Sequence, residues 1–103
     1  MATTIALGKI DQIPLGEGRN FSVNSETIAV FRTRGGEVYA TQAYCPHRSG
    51  PLADGLLGAS TIVCPLHDRV FDLKSGDGPT PECLKLKTYP VSLNDAQEVV
   101  LSL

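Results

Sequence analysis

Short runs of β-branched and aromatic residues alternate along this chain with turns that contain glycine and proline. Residues 27–34 (TIAVFRTR) and 37–43 (EVYATQA) are separated by Gly35-Gly36, and this combination predicts a β-hairpin. No window of helical length repeats its apolar positions with a helical period. The pattern therefore predicts an all-β fold. Further strands are predicted at residues 4–7, 20–23, 61–63, 70–73, 84–93 and 98–103.

The stretches between these runs predict loops. Residues 45–58 contain two prolines and three glycines, and we expect a loop there with at most one turn of regular structure. Residues 77–81 (DGPTP) predict a second, rigid loop, and Ile13-Pro14 with residues 16–18 predicts a turn region. Pro90 lies inside the predicted strand 84–93. Because proline lacks the N–H that a central strand needs, we expect a sheet edge or a bulge there.

Length and charge exclude several classes of protein. A chain of 103 residues predicts a single domain over residues 1–103. Nine basic residues oppose eleven acidic ones with no block of like charge, which gives no support for binding to nucleic acid or to a membrane surface. No segment approaches the length of a membrane span, and the first residues lack the features of a signal peptide. We expect a soluble, cytoplasmic protein.

The few cysteines and histidines lie together. The chain has three cysteines and two histidines, and each histidine follows a cysteine within three residues. The pattern is Cys45-x-His47, then sixteen residues, then Cys64-x-x-His67. Each pair offers one sulfur and one imidazole nitrogen, and each includes a proline that reduces the entropy lost when a loop is held around a metal. Cys83 has no histidine beside it, and we expect a small buried residue there.

Two metal centres could use these four side chains. Zinc would take all four at one tetrahedral centre, whereas a [2Fe–2S] cluster would take two cysteines on one iron and two histidines on the other. Each loop here contributes a mixed pair, so each iron would receive one ligand from each loop. A zinc-stabilised interaction module and a redox sensor that uses Cys83 remain as alternatives of other classes.

The segments YCPHRSGPLADGLL and VCPLHDRVFDLKSG resemble the two cluster-binding loops of Rieske proteins. The resemblance covers essentially the whole chain. It implies an antiparallel β-sandwich with a cluster-binding subdomain of two loops. It also implies one [2Fe–2S] cluster on Cys45, His47, Cys64 and His67, and one-electron transfer to chemistry located on another protein. It further implies that Pro79 and Pro81 cover the cluster; otherwise they are plain turn residues. We expect Leu66 and Phe71 to shield the cluster as core residues rather than to form a recognition surface. Arg48 and Arg69 are either partner contacts or ordinary solvated charges, and Asp68 either bonds a nearby loop amide or is simply exposed.

The ligand set and its neighbours predict the redox behaviour. Two neutral imidazoles give a cluster charge of 0 when oxidised and −1 when reduced, and the potential rises relative to an all-cysteine cluster. We expect oxidation to lower the histidine pKa values, so that the potential falls as pH rises. High-potential Rieske proteins carry an extra disulfide and two hydroxyl groups near the cluster. In this chain Gly50 and Leu66 occupy the positions of the two extra cysteines, so the disulfide is absent. Arg69 and Phe71 occupy the positions of the two side chains that carry the hydroxyl groups. We therefore predict a potential of about −150 mV.

The same resemblance suggests two kinds of partner. The loop segments favour the small subunit of an NAD(P)H-dependent nitrite reductase, in which electrons pass from a flavin-containing reductase toward sirohaem. The alternative is the ferredoxin component of an aromatic-ring dioxygenase system, in which electrons pass from a reductase to a ring-hydroxylating oxygenase. In both cases the chain is an electron-transfer component with no catalytic site of its own.

Overall fold

A computed structural model describes residues 4–44, 51–64, 70–78 and 85–102. Within these ranges the chain forms ten β-strands and two short 3₁₀ turns, at Ile10–Gln12 and Leu52–Asp54. The described residues contain no helix that is long and apolar enough to cross a membrane. The strands are β1 Thr4–Lys9, β2 Glu17–Val23, β3 Glu26–Arg32, β4 Val38–Gln42, β5 Leu56–Leu57, β6 Thr61–Val63, β7 Val70–Asp72, β8 Thr88–Tyr89, β9 Val91–Leu93 and β10 Glu98–Ser102.

The strands pair antiparallel in three sheets, with orders β1-β10-β9, β2-β3-β4-β8 and β5-β6-β7. Strand β3 lies between two apolar cores because its side chains alternate between its two faces. Ile28 and Val30 pack with Val99 and Leu101, whereas Phe31 packs with the small third sheet. The predicted all-β sandwich with an attached two-loop subdomain is confirmed.

The predicted hairpin around Gly35-Gly36 is confirmed as β3–β4. Arg32 pairs with Val38, and the Thr33 N–H donates to the Glu37 carbonyl oxygen at 2.9 Å across the connection. Gly36 has φ +89°, a value that side chains with a Cβ rarely adopt. The turn therefore requires a glycine at position 36 because of this backbone conformation.

Pro90 divides the predicted strand 84–93 into β8 and β9. Strand β8 pairs with β4 in the central sheet, whereas β9 pairs with β10 in the first sheet. Both are edge strands, as the proline predicted. The chain thus changes sheets at the residue that cannot donate a backbone hydrogen bond, and the Pro90 carbonyl accepts one from the Ser102 N–H at 2.9 Å.

Two strand predictions need correction. Strand β2 begins at Glu17 rather than at residue 20, so residues that were predicted as a turn belong to a strand. The reason is that Gly18 pairs with Phe31, and a Cβ at Gly18 would lie 2.6 Å from the Phe31 ring. The glycine leaves room for an aromatic ring instead of making a turn. The second correction is strand β5, which lies inside the region 45–58 that was predicted as a loop with one regular turn.

Candidate metal centre

Of the four predicted ligands, the structure describes Cys64. Cys45, His47 and His67 lie outside the described residues. Phe71 is also described, whereas eight other positions that the sequence singled out are not: Arg48, Gly50, Leu66, Asp68, Arg69, Pro79, Pro81 and Cys83. The described residues nevertheless include both ends of each predicted ligand loop, and these ends define the frame of the site.

Cys64 follows directly after β6 and is fully buried. Side chains two apart on a strand share a face, so Cys64 points to the same side as Ile62. Ile62 pairs with Phe71 of β7, and all three belong to one apolar core. Phe71 is buried in the same core as Cys64, and its shielding of the cluster stays a prediction. Cys64 therefore belongs to a buried core made mainly of apolar side chains.

The second predicted ligand loop is closed at its base by strand pairing. Val63, the residue before Cys64, pairs with Val70, the first residue of β7. A ladder pair brings opposing backbones to within about 5.5 Å. The segment that carries His67 therefore leaves and re-enters the sheet at adjacent positions.

The first predicted ligand loop is closed in a similar way. Tyr44 and Pro51 form an isolated antiparallel bridge on either side of residues 45–50. Next to the bridge, the Leu52 N–H donates to the Ala43 carbonyl oxygen at 3.0 Å, and Leu52 is fully buried in the core that contains Cys64. The segment with Cys45 and His47 is thus anchored at both ends.

A polar side chain that the sequence did not single out connects two of these anchors. The Gln42 Nε2 donates to the Tyr44 carbonyl oxygen at 2.7 Å, and its Oε1 accepts the Lys87 N–H at 2.7 Å. Gln42 therefore joins the start of the first ligand loop to the chain that returns after residues 79–84. Glutamine in a strand carries no signal of such a role, since the role depends on which segments lie beside it.

The segment after β7 is held at its two ends by complementary contacts. The Leu86 N–H donates to the Gly76 carbonyl oxygen at 2.8 Å, and Lys85 forms an ion pair with Asp77 at 3.1 Å. The hydrogen bond from Lys85 lowers the pKa of the exposed Asp77 carboxyl. These contacts keep residues 78 and 85 near each other and fix the ends of the proline-containing segment between them.

The partly buried Tyr39 side chain packs against the core that contains Cys64. Burial raises its phenol pKa above 10.0, and so does the hydrogen bond that it donates to Glu37 Oε2 at 3.1 Å. Tyr39 is therefore neutral near pH 7 and adds no charge to this side of the site.

The sequence profile of the Rieske [2Fe-2S] domain matches residues 3–90, which is most of the chain. The chain belongs to the Rieske [2Fe–2S] family. It is 38% identical over 87 residues to the ferredoxin component of the naphthalene 1,2-dioxygenase/salicylate 5-hydroxylase systems of a Ralstonia species, covering 84% of this chain and 83% of the relative.

Two solved structures are similar over nearly their whole length. The ferredoxin of carbazole 1,9a-dioxygenase from Nocardioides aromaticivorans IC177 is 30% identical, with a TM-score of 0.83 and coverage of 96% of both chains. A structure described as the small subunit of a nitrite reductase (NADPH) is 27% identical, with a TM-score of 0.85 and coverage of 96% of this chain and 97% of that one.

Family membership makes this Rieske protein an electron carrier with a [2Fe–2S] cluster. The described frame fits such a group. The bases of the two predicted ligand loops lie on neighbouring elements, and Cys64 presents a sulfur on a buried, apolar face. A soft thiolate in such surroundings is a ligand type that iron–sulfur clusters use.

Proposed function

We propose that this chain is the ferredoxin component of an aromatic-ring dioxygenase system and passes single electrons to a ring-hydroxylating oxygenase. The observation that carries the proposal is the 38% identity to a dioxygenase ferredoxin over 84% of the chain. Further relatives at 30–34% identity are described as ferredoxin components or subunits of naphthalene, biphenyl and anthranilate dioxygenase systems. The proposal reverses the preference that the loop segments suggested.

The proposed ligands are Cys45 and Cys64 for one iron and His47 and His67 for the other. When bound, the cluster supplies a one-electron acceptor and donor whose charge changes between 0 and −1. The chain's own part is to hold the four ligands and to surround Cys64 with apolar side chains. Phe71 lies on the buried face beside Cys64 without a hydroxyl group to donate, which supports the predicted low potential of about −150 mV.

The outer face of the small sheet suggests where an oxygenase would contact the chain. Leu56, Val63 and Val70 form one cross-strand row, which we call the outer row. Leu56 is 76% exposed and Val70 43% exposed, although a solvent-facing row of an antiparallel sheet is usually polar. Two residues further along the same strands, on the same face, Thr61 pairs with Asp72, and both side chains are polar. Among the described residues of this face, the apolar side chains thus lie at the end beside Cys64.

The ligand assignment is tested by iron analysis, visible spectroscopy and EPR of the reduced protein. We expect Cys64→Ser and His67→Ala to abolish the Rieske signal, since each removes a ligand. Cys83→Ser is the matched control and should keep the full signal. A ligand variant that retains a complete cluster would refute the assignment, and a zinc-containing, colourless wild-type protein would refute the cluster. A potential above about +150 mV would contradict the low-potential assignment.

The partner is tested by mixing the chemically reduced protein with the purified oxygenase component of a naphthalene 1,2-dioxygenase. We expect rapid, saturable oxidation of the Rieske cluster in a stopped-flow measurement. The second candidate is the small subunit of a nitrite reductase, favoured by the 27% identity and TM-score of 0.85 to a structure described in that way. Saturable electron exchange with a sirohaem nitrite reductase, and none with the oxygenase, would replace the first proposal with the second.

A further inference from the structure

Gly55 lies in the chain between residues 45–50 and Cys64, close to the backbone at the end of β6. It follows the 3₁₀ turn Leu52–Asp54, and its N–H donates to the Leu52 carbonyl oxygen at 3.0 Å. Its φ of −79° and ψ of 178° are open to any residue. Backbone conformation therefore does not explain why a glycine occupies this position.

The space around Gly55 does explain it. A Cβ at this position would overlap the carbonyl oxygen of Val63 and lie 3.2 Å from the carbonyl oxygen of Leu52. Both neighbours are backbone atoms, so neither can rotate away as a side chain would. Any larger residue must displace either the turn or the end of β6.

The element that would move connects the bases of both ligand loops. At one end of the turn, Leu52 is bonded to Ala43 beside the Tyr44–Pro51 bridge that closes residues 45–50. At the other end, Gly55 lies against Val63, the residue before Cys64. The turn is therefore a short, buried spacer between the two loop bases.

We infer that Gly55 is a positioning residue for the cluster, because the close seating of the turn against β6 sets the separation of the two ligand loops. The inference rests on the ligand assignment proposed above, in which each iron takes one ligand from each loop. A change in loop separation then alters the geometry at both irons. Orienting contacts outside the ligand shell commonly affect metal affinity by roughly tenfold or more.

The test uses the holoproteins of Gly55→Ala and Gly35→Ala. Gly35 is the matched control, since a Cβ there would meet only the Thr33 hydroxyl oxygen, at 3.8 Å. We measure the EPR g values of the reduced proteins, the rate at which a chelator bleaches the visible spectrum, and the unfolding of each holoprotein in urea by circular dichroism. We expect shifted g values and roughly tenfold faster bleaching for Gly55→Ala. Gly35→Ala should match the wild type.

Wild-type g values and a wild-type bleaching rate for Gly55→Ala would overturn the inference. Faster bleaching with unchanged g values and a matching loss of holoprotein stability in urea would also overturn it, since that is a purely structural effect. If Gly55→Ala accumulates no holoprotein, Leu52→Val loosens the same turn without adding an atom beside Val63. It should shift the g values, and unchanged values there would overturn the inference. A wild-type protein without a Rieske signal would instead refute the proposed function.

Discussion

Replacing Phe71 by tyrosine tests how the buried face beside Cys64 sets the reduction potential. In the β6–β7 ladder Ile62 pairs with Phe71, so Phe71 is the diagonal neighbour of Cys64 on the same face. Diagonal neighbours in an antiparallel pair are about 7–8 Å apart, a distance that an aromatic side chain can bridge. A hydroxyl at the end of that ring is therefore placed to donate toward the cysteine sulfur or the cluster.

The size of the effect follows from the charge of the cluster. A hydrogen bond to a charged group contributes about 1.5–3 kcal/mol, against about 0.5–1.5 kcal/mol for a neutral one. The hydroxyl should thus favour the reduced, −1 state by about 1–1.5 kcal/mol. Since 59 mV corresponds to a tenfold change for one electron, or about 1.4 kcal/mol, we expect the potential to rise by about 40–60 mV.

The assay is a spectroelectrochemical titration of the wild type, Phe71→Tyr and Phe31→Tyr. Phe31 is the control because it is fully buried in the same core but lies on β3 rather than in the strand pair that carries Cys64. Its hydroxyl should cost about 1–3 kcal/mol of stability if left unbonded and should leave the potential unchanged. An unchanged or lowered potential in Phe71→Tyr, with the cluster intact, would refute the reasoning.

Three further changes test other parts of the molecule. Leu56→Ser should slow electron transfer to the oxygenase without altering the potential. Leu15 is another exposed leucine but lies outside the small sheet, so Leu15→Ser should leave the rate unchanged; equal rates for the two variants would exclude the outer row as the contact surface. Gln42→Met removes two hydrogen bonds and should lower the free energy of unfolding in urea by about 1–2 kcal/mol, with faster loss of the cluster. An unchanged unfolding midpoint would contradict this. The Tyr89 phenol has a pKa raised above 10.0 by burial and by Glu26, so its stabilisation is complete below pH 10 and lost as pH rises through the folded pKa. Tyr89→Phe should therefore lose less stability at alkaline pH than the wild type in a pH series of urea unfolding curves. Identical pH profiles would show that the Tyr89 phenol is not responsible for the loss.

Local sequence patterns predicted the hairpin and most of the strands, because β-branched runs and glycine pairs act through neighbouring residues. They did not predict that Gly18 is a strand residue, since the cause is a ring on another strand. The same limit applies to Gly55 and Gln42. A glycine and a glutamine carry no local sign of a backbone contact or hydrogen bond to a segment distant in sequence.

The candidate ligands can be proposed from the sequence for the opposite reason. Metal ligands must be particular residue types, and in a chain with three cysteines and two histidines their spacing stands out. The residues that shape the frame need only the right size at the right place. Leu52, for example, is an ordinary buried leucine in sequence, yet it holds the turn between the two loop bases.

Strand β3 explains how a small chain can hold both a β-sandwich and a cluster-binding subdomain. Ile28, Ala29, Val30 and Phe31 are all fully buried, so this strand has no solvent-facing side over its centre. Its two faces supply one wall to each core, and the small sheet therefore rests on the same strand that stabilises the sandwich. Because backbone pairing and this shared strand fix the bases of the ligand loops, side chains facing Cys64 can change without moving the frame. The potential can thus be adjusted at positions such as Phe71, while positions such as Gly55 determine whether the cluster is held correctly.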